Sequence, residues 1–271
     1  MANAGIAGSS VPQIVPTQWP GPDIADPIYH DSVEDERLYR KQRLAASFRL
    51  FSRFGFDMGG AGHITARDPE FPDHFWVNPL GRHFSRICVS DLLRVDHEGN
   101  ILEGEGMLNR AAFAIHSQVH KARPDVIGAA HSHSLYGKVW ATLGRKLSPI
   151  SQDAAIFFED HGLFDDYSGV VNELSEGERI GLALGNHKAV ILRNHGLLTV
   201  GKSVEGALWW FLAMENACKA QILAESVGTP IPMETEVAQA TRAMIGCELA
   251  AVYAFQPYWE QMLYEEPDFL T

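Results

Sequence analysis

The sequence is poor in cysteine and in long apolar runs. Its three cysteines, Cys88, Cys218 and Cys247, are too few and too far apart for a disulfide framework or a C-x-x-C motif. Reduced thiols are typical of cytosolic proteins, so we expect a cytoplasmic location. The N-terminus lacks the basic and apolar regions of a secretory signal. No apolar stretch reaches the roughly 20 residues that a membrane span requires.

Basic residues are also scarce. The chain has 22 Lys and Arg against 34 Asp and Glu, which gives a formal net charge of −12. An acidic surface repels phosphate backbones and anionic lipids, so we expect neither a nucleic-acid nor a membrane partner. With 46% hydrophobic and 21% charged residues, the composition is that of a globular protein, and 271 residues are enough for one large domain.

The chain divides into three parts. Residues 1–32 include "VPQIVPTQWPGPDIADP", whose prolines oppose helix, so we expect an extended or disordered arm that either wraps a neighbouring subunit or is a loose terminus. Residues 33–252 form the expected domain. Residues 253–271 are an aromatic and acidic C-terminal tail.

Periodicity within residues 33–252 predicts an α/β or three-layer α/β/α domain. Leu44, Phe48 and Phe51 form an apolar helical stripe after a start at about Ser32. A long helix over 203–227 and a last helix at about 233–252 follow later. The other predicted elements are strands at "HITAR", "HFWVNP", "DLLRVD", "NILEG", "VIGAAHSH" and "KAVILRNHG", a helix at "NRAAFAIHSQVHKA", and a helix or turn at "SLYGKVWATLG".

Three histidines stand at the ends of predicted buried strands. In "AAHSHSLYG", His131 and His133 are two residues apart, so a strand points both rings the same way. His195 follows another strand in "ILRNHGLL", where Gly196 permits a sharp turn. Three neutral imidazoles with an open fourth position are typical of catalytic Zn²⁺, Fe²⁺ or Mn²⁺. Taken alone, an H-x-H pair in a strand is more often structural or at the surface than a ligand pair.

The stretches "ARPDVIGAAHSHS" and "VILRNHGLLTVGKSV", with "GHIT" and "NPLG" before them, resemble the class II aldolase/adducin family over roughly residues 36–230. The resemblance implies an α/β/α fold around a nine-stranded, mixed and mainly antiparallel sheet. It also implies a homotetramer with sites near subunit interfaces. In the metal-dependent members, the histidines that match His131, His133 and His195 hold a divalent cation, for which we expect Zn²⁺, with Mn²⁺ or Fe²⁺ as alternatives.

The sequence departs from the sugar-phosphate aldolases at two places. Their acidic base falls on Ala112 here, and the next residue on that helical face is His116, which either acts as the base or packs in the core. The hydroxyl-rich phosphate cradle is replaced by "GHIT" and "NPLG". We therefore expect His63 and Asn78 to bind a carboxylate or phenolic oxygen rather than a phosphate.

Three further residues are candidates. Asp153 and His161, in "SQDAAIFFEDHGLF", match a segment that brings polar groups to the aldolase site, and both are predicted to be catalytic. The alternative for each is a helix cap or a hydrogen bond within the loop. Tyr136 follows His133 by one short turn and is a candidate substrate-binding residue or a core residue.

Together these features predict a metal-dependent carbon–carbon lyase. The expected reaction is decarboxylation or retro-aldol cleavage of a small-molecule substrate, a non-phosphorylated hydroxycarboxylate with aromatic acids among the candidates, through a metal-stabilised enolate. Decarboxylation is mildly favoured because it does not need the base that is missing at Ala112. An Fe²⁺-dependent oxygenase on the same histidines and a non-catalytic adducin-like scaffold are the alternatives.

Overall fold

The computed structural model describes residues 30–170 and 173–271, so nearly all of the predicted N-terminal arm lies outside the described residues. Within these ranges eight strands form one sheet in the order β4-β3-β2-β1-β5-β8-β7-β6. The strands are β1 His63–Arg67, β2 Phe75–Val77, β3 Leu93–Val95, β4 Ile101–Glu103, β5 Gly128–Ser132, β6 His161–Phe164, β7 Ala189–Leu192 and β8 Gly196–Gly201.

Only β6 and β7 pair in parallel, and every other neighbouring pair is antiparallel. The prediction of a mixed, mainly antiparallel sheet is therefore confirmed. The described residues supply one strand fewer than the nine that the resemblance implies.

The same residues contain eight α-helices. These are α1 Val33–Arg53, α2 Arg110–Ala122, α3 Leu135–Ala141, α4 Gln152–Ala155, α5 Leu174–Leu184, α6 Val204–Val227, α7 Thr235–Ile245 and α8 Glu248–Glu265. In this part of the chain, no helix combines the length and the apolar character needed to cross a bilayer.

The helices cover both faces of the sheet. Helices α2 and α5 pack together on one face, where Ile115, Val119, Ile180 and Leu198 belong to one buried cluster. Helices α1, α3, α6 and α8 lie over the other face, around a larger cluster. Because successive strand residues point to opposite faces, each central strand contributes side chains to both clusters. This is the predicted three-layer α/β/α arrangement.

Local sequence signals account for both the start and the buried face of helix α1. The side chain of Ser32 accepts the N–H of Asp35 at 3.1 Å and caps the first turn. The predicted stripe of Leu44, Phe48 and Phe51 is fully buried.

The C-terminal region differs from the prediction. A single helix over 233–252 is wrong, because Gly246 ends α7 and α8 begins at Glu248. The boundary that we expected after residue 252 therefore falls inside α8. Phe255, Met262 and Phe269 are fully buried in the same cluster as α6, so the aromatic tail packs onto the domain.

Candidate metal centre

Three histidine rings meet where β5 ends and β8 begins. His131 lies on β5, His133 follows the last residue of that strand, and His195 lies in the turn between β7 and β8. Strands β5 and β8 are paired neighbours, with Ser132 opposite Leu197, so the two chain segments end at the same edge. One ring nitrogen from each histidine lies within 4.8 Å of the others. The structure thus brings together the three residues predicted as metal ligands.

The turn that carries His195 depends on two neighbouring residues. Asn194 adopts a left-handed backbone with φ of 58°, a conformation that asparagine tolerates better than most residues. The expected role of Gly196 in the turn needs correction. A Cβ at Gly196 would lie 2.7 Å from the carbonyl oxygen of Ser132, so this glycine instead permits β8 to approach β5.

The ring of His131 is oriented by the main chain. Its Nδ1 lies 2.8 Å from the carbonyl oxygen of Leu197. A carbonyl oxygen only accepts, so Nδ1 carries the proton and donates it, and Nε2 keeps its lone pair. Metal-ligating histidines are usually fixed by such a hydrogen bond from the other ring nitrogen.

Burial keeps the three rings neutral. It lowers the pKa of His131 well below the ordinary value, and the neighbouring ring of His195 lowers it further. Burial likewise lowers the pKa of His133 and brings that of His195 to about 4. Neutral imidazole is the form that donates its lone pair to a metal, so the donor set fits a divalent cation at neutral pH.

A cavity of about 200 Å³ opens over the histidine cluster. Its wall includes His63, Asn109, Ile115 and Tyr167 besides the three histidines. Among the described residues, its lining contains no Arg, Lys, Asp or Glu. The described lining therefore offers a bound phosphate no side-chain cation and a substrate proton no carboxylate base.

His63 lies at the cavity wall, and His116 lies behind it. The His63 Nδ1 is 2.7 Å from the His116 Nε2, and the His116 Nδ1 is 2.6 Å from the hydroxyl oxygen of Thr65. His116 is fully buried and uses both ring nitrogens in this way, so it does not reach the cavity as the predicted base. Ala112 is also buried, and its neighbour Ala111 lines the cavity.

The other four candidates are not part of the cavity lining in this chain. His161 begins β6, which β8 and β7 separate from β5, and main-chain groups occupy both of its nitrogens: Nδ1 donates to Phe157 O at 2.6 Å, and Nε2 accepts from Leu147 N at 3.0 Å. The predicted catalytic role of His161 is replaced by a structural one, because no nitrogen is left for a substrate.

Tyr136, Asn78 and Asp153 also have local partners. The ring of Tyr136 packs against the core beneath the Lys219 ammonium, 5.2 Å from its centroid. The buried Asn78 amide donates to Pro79 O at 3.2 Å. Asp153 is exposed on α4 and accepts the side-chain amide of Asn216 at 3.5 Å. The structure does not bring these three residues to the histidine cluster.

Glu215 was missed by the sequence analysis. It is buried on α6, and its carboxylate accepts the hydroxyl of Ser134 at 2.5 Å and the N–H groups of Tyr136 and Gly137 at 2.8 and 2.6 Å. It therefore caps the N-terminus of α3, immediately after His133. A lone carboxylate in the apolar stretch "LWWFLAMENACK" was the available signal, since a buried charge requires partners.

The chain is thus a three-layer α/β/α protein with a three-histidine cluster that could hold a metal ion. Residues 42–222 match the family model described as the class II aldolase and adducin N-terminal domain. The chain belongs to this family.

Several relatives resemble the chain over nearly its whole length. Decarboxylase NovR of Streptomyces niveus is 43% identical across 93% of this chain and 94% of its own. The 4-hydroxy-3-prenylphenylpyruvate oxygenase/4-hydroxy-3-prenylbenzoate synthase of Streptomyces roseochromogenus is also 43% identical, over 92% and 91%. The solved structure of an L-fuculose 1-phosphate aldolase from Glaciozyma antarctica superposes with a TM-score of 0.84, at 40% identity over 90% and 96%. The family and these relatives identify a lyase-type enzyme.

Proposed function

We propose that this enzyme is a metal-dependent lyase that cleaves a carbon–carbon bond beside the carboxylate of a non-phosphorylated hydroxycarboxylate. The observation that carries the proposal is the cluster of His131, His133 and His195 at the wall of an otherwise uncharged cavity. Decarboxylation is the favoured reaction, and retro-aldol cleavage is the alternative within the same class.

His131, His133 and His195 are the proposed ligands of the ion. A divalent cation held by three imidazoles supplies Lewis acidity: it binds substrate oxygen atoms and stabilises negative charge that develops on them. The protein keeps the rings neutral by burial, and Leu197 O fixes the orientation of His131. We propose Zn²⁺ as the native ion, with Mn²⁺ and Fe²⁺ as alternatives.

The uncharged cavity wall supports a substrate without a phosphate group. A sugar phosphate requires cationic or multiple N–H donors, and the described lining offers no Arg or Lys. Ile115 adds an apolar surface and Tyr167 a ring, which suits an aromatic carboxylate. A volume of about 200 Å³ matches a small acid.

The missing carboxylate base supports decarboxylation over aldol cleavage. In decarboxylation the carboxylate–carbon bond breaks, CO₂ leaves, and the electron pair remains on the substrate until a proton from solvent replaces it. No hydroxyl proton has to be removed first. Retro-aldol cleavage needs that removal, and the cavity lining carries no Asp or Glu for it.

An Fe²⁺-dependent oxygenase is the second candidate. The relative from Streptomyces roseochromogenus is named both an oxygenase and a benzoate synthase, and it covers most of this chain. Three histidines with open positions also suit Fe²⁺ and O₂. This candidate uses the same three histidines but predicts O₂ as a co-substrate, so it can be distinguished from the lyase by experiment.

The test is a screen of hydroxybenzoates, hydroxymandelates and aliphatic hydroxy acids with enzyme loaded with Zn²⁺, Mn²⁺ or Fe²⁺. Release of CO₂ without O₂, and its loss in His131→Ala, is the expected result. Release of an aldehyde instead identifies the aldolase reaction. Turnover only with Fe²⁺ and with O₂ uptake contradicts the lyase and supports the oxygenase.

The proposal includes a homotetramer in the cytoplasm, with sites near subunit interfaces. Sedimentation of the purified protein tests the assembly, and a monomer at micromolar concentration contradicts it. The described cysteines, Cys88, Cys218 and Cys247, are all free thiols, as a reducing compartment requires.

A further inference from the structure

A large groove lies at the opposite end of strands β5 and β8 from the histidine cluster. Ile127, which precedes β5, and Gly201, which ends β8, border this groove. His133 and His195 stand at the other ends of the same two strands. Helices α1, α6, α7 and α8 supply most of the remaining wall, and the groove encloses about 1010 Å³. Pockets for small molecules hold roughly 300–1,000 Å³, so this groove has room for a peptide segment.

The groove wall carries no excess of either charge. Five basic residues face five acidic ones on it: Arg40, Arg123, Lys188, Lys202 and Arg242 against Glu36, Asp125, Asp160, Glu205 and Glu248. Some of them already pair with each other, as Arg123 does with Asp125 at 2.7 Å and Lys188 with Asp160 at 3.1 Å. A phosphate or a nucleotide gains little net attraction from such a wall. The groove therefore favours an occupant that carries little charge.

One buried group on the wall lacks a hydrogen-bond donor. Glu205 is fully buried, and its Oε1 accepts the hydroxyl of Tyr39 and the Nε–H of Arg43, the latter at 3.1 Å. Its Oε2 has no partner among the described residues. A buried carboxylate oxygen without a donor is costly, so we expect the occupant to bring N–H groups. A peptide main chain offers one at every residue except proline.

The N-terminal arm leads directly into this groove. The first described residue, His30, borders the groove, and its ring lies 4.7 Å from that of Tyr39, another wall residue, centroid to centroid. The residues that precede His30 are therefore tethered at the groove. A short tether gives an attached segment an effective concentration of about millimolar, well above that of a free partner in solution. The arm of the same chain is thus the favoured occupant.

The composition of the arm suits the wall. Residues 22–29, "PDIADPIY", contain no basic residue and carry apolar side chains next to prolines. Val204, Leu249 and Val252 give the groove an apolar surface on which such side chains can pack. Lys202 forms no ion pair within 4.0 Å in the described part of the chain, so it is available to an aspartate of the arm. Prolines favour the extended polyproline II conformation, which loses little entropy when it docks in a groove.

We propose that residues 22–29 of the N-terminal arm lie in the groove of their own subunit, with Ile24 and Ile28 against its apolar wall and a main-chain N–H donated to Glu205. Ile24 and Ile28 share one face of an extended segment, because side chains alternate along it. The docked arm joins α1 to α7 and α8. Because the metal centre lies at the other end of β5 and β8, the arm contributes to the stability of the domain and not to the chemistry.

The native thiol of Cys247 reports whether the groove is occupied in the full chain. Cys247 borders the groove and is partly exposed, and Cys88 is also partly exposed but lies outside the lining. Iodoacetamide should label Cys247 about tenfold faster in Ile24→Asp/Ile28→Asp than in the unsubstituted protein, at a constant rate for Cys88. Ile6→Asp, the same change outside residues 22–29, is the matched control and should alter neither rate. Equal Cys247 rates in the unsubstituted protein and the double variant refute the proposal.

A disulfide trap distinguishes the arm of the same subunit from that of a neighbour. Three separate variants, Ile24→Cys, Ala25→Cys and Asp26→Cys, sample both faces of an extended segment. Mild oxidation should join at least one of the new thiols to Cys247 within a single chain, because a disulfide forms only when the two Cα atoms lie within about 7 Å. Adding Cys247→Ser should abolish the link. A link found only between two chains, or in none of the three variants, overturns the proposal.

Thermal stability and metal content separate the arm from the metal centre. Ile24→Asp/Ile28→Asp should lower the Tm by about 5 °C, because two apolar side chains lose their burial, and should leave the metal content unchanged. Ile6→Asp should change neither quantity. An unchanged Tm in the double variant contradicts the docking of the arm. A loss of metal in that variant would place the arm at the histidine cluster instead, and this also overturns the proposal.

Discussion

Glu215 links the stability of the domain to the metal centre, and its substitution has a calculable effect. The carboxylate accepts three hydrogen bonds at the N-terminus of α3, from Ser134, Tyr136 and Gly137. In Glu215→Gln, one oxygen still accepts the Tyr136 N–H, and the Ser134 hydroxyl can rotate to accept from the new amide. The Gly137 N–H then faces an NH₂ group and loses its acceptor.

A buried donor without an acceptor costs about 1–3 kcal/mol, so we expect Glu215→Gln to lower the free energy of unfolding by about 2 kcal/mol. Glu215→Ala leaves two N–H groups unpaired and should cost about 4 kcal/mol, including the cavity. Urea unfolding measures both values. Because α3 begins just after His133, zinc affinity should also fall, by about tenfold.

The control lies on the same helix. Glu225 is partly exposed and pairs with the exposed Arg145, so Glu225→Gln should change the free energy of unfolding by less than about 1 kcal/mol. Equal unfolding midpoints for Glu215→Gln and Glu225→Gln would refute the capping argument. If Glu215→Gln loses zinc but keeps its free energy of unfolding, Glu215 acts on the metal centre by a route other than capping α3.

Three further predictions follow from buried groups. His161→Ala should cost about 2–4 kcal/mol in urea unfolding because it leaves the Leu147 N–H without an acceptor and a cavity where the buried ring was, while kcat of the folded enzyme should stay unchanged; a hundredfold loss of kcat would restore the catalytic role. Burial lowers the pKa of His161 to about 4 in the folded chain, against 6.5 in the unfolded chain, so only the unfolded chain gains this proton between pH 6.5 and 4. The free energy of unfolding should therefore fall by up to about 3 kcal/mol as the pH decreases through this range. The same pH slope in His161→Ala would contradict this. Gly196→Ala should reduce both the Tm and the metal content, because the new Cβ would lie 2.7 Å from the carbonyl oxygen of Ser132 on β5. An unchanged Tm and metal content would instead show that β8 can move to make room for the Cβ.

Most elements were predictable because local signals agreed with the fold. The strand "HITAR" is observed as His63–Arg67, and the helix after Ser203 runs over the predicted residues to Val227. In both cases periodicity and capping point to the same structure. The C-terminal helices were not predicted correctly, since the burial of Phe255 and Met262 depends on contacts with distant elements.

The site was predictable only in part, for the same reason. His131, His133 and His195 converge because paired strands bring their ends to one edge, which sequence order does not show by itself. His116 and His161 have the residue type of a catalytic base, but burial and hydrogen-bond partners determine their roles. A sequence does not display those partners, because they come from other strands and from the main chain.

The central claim is that His131, His133 and His195 hold one divalent ion. Elemental analysis of protein purified without chelator tests it most directly, with His195→Ala and the His161→Ala variant measured beside it. We predict about one ion per chain in the unsubstituted protein and in His161→Ala, and almost none in His195→Ala. Absence of metal from the unsubstituted protein after incubation with Zn²⁺, or full retention in His195→Ala, would contradict the account.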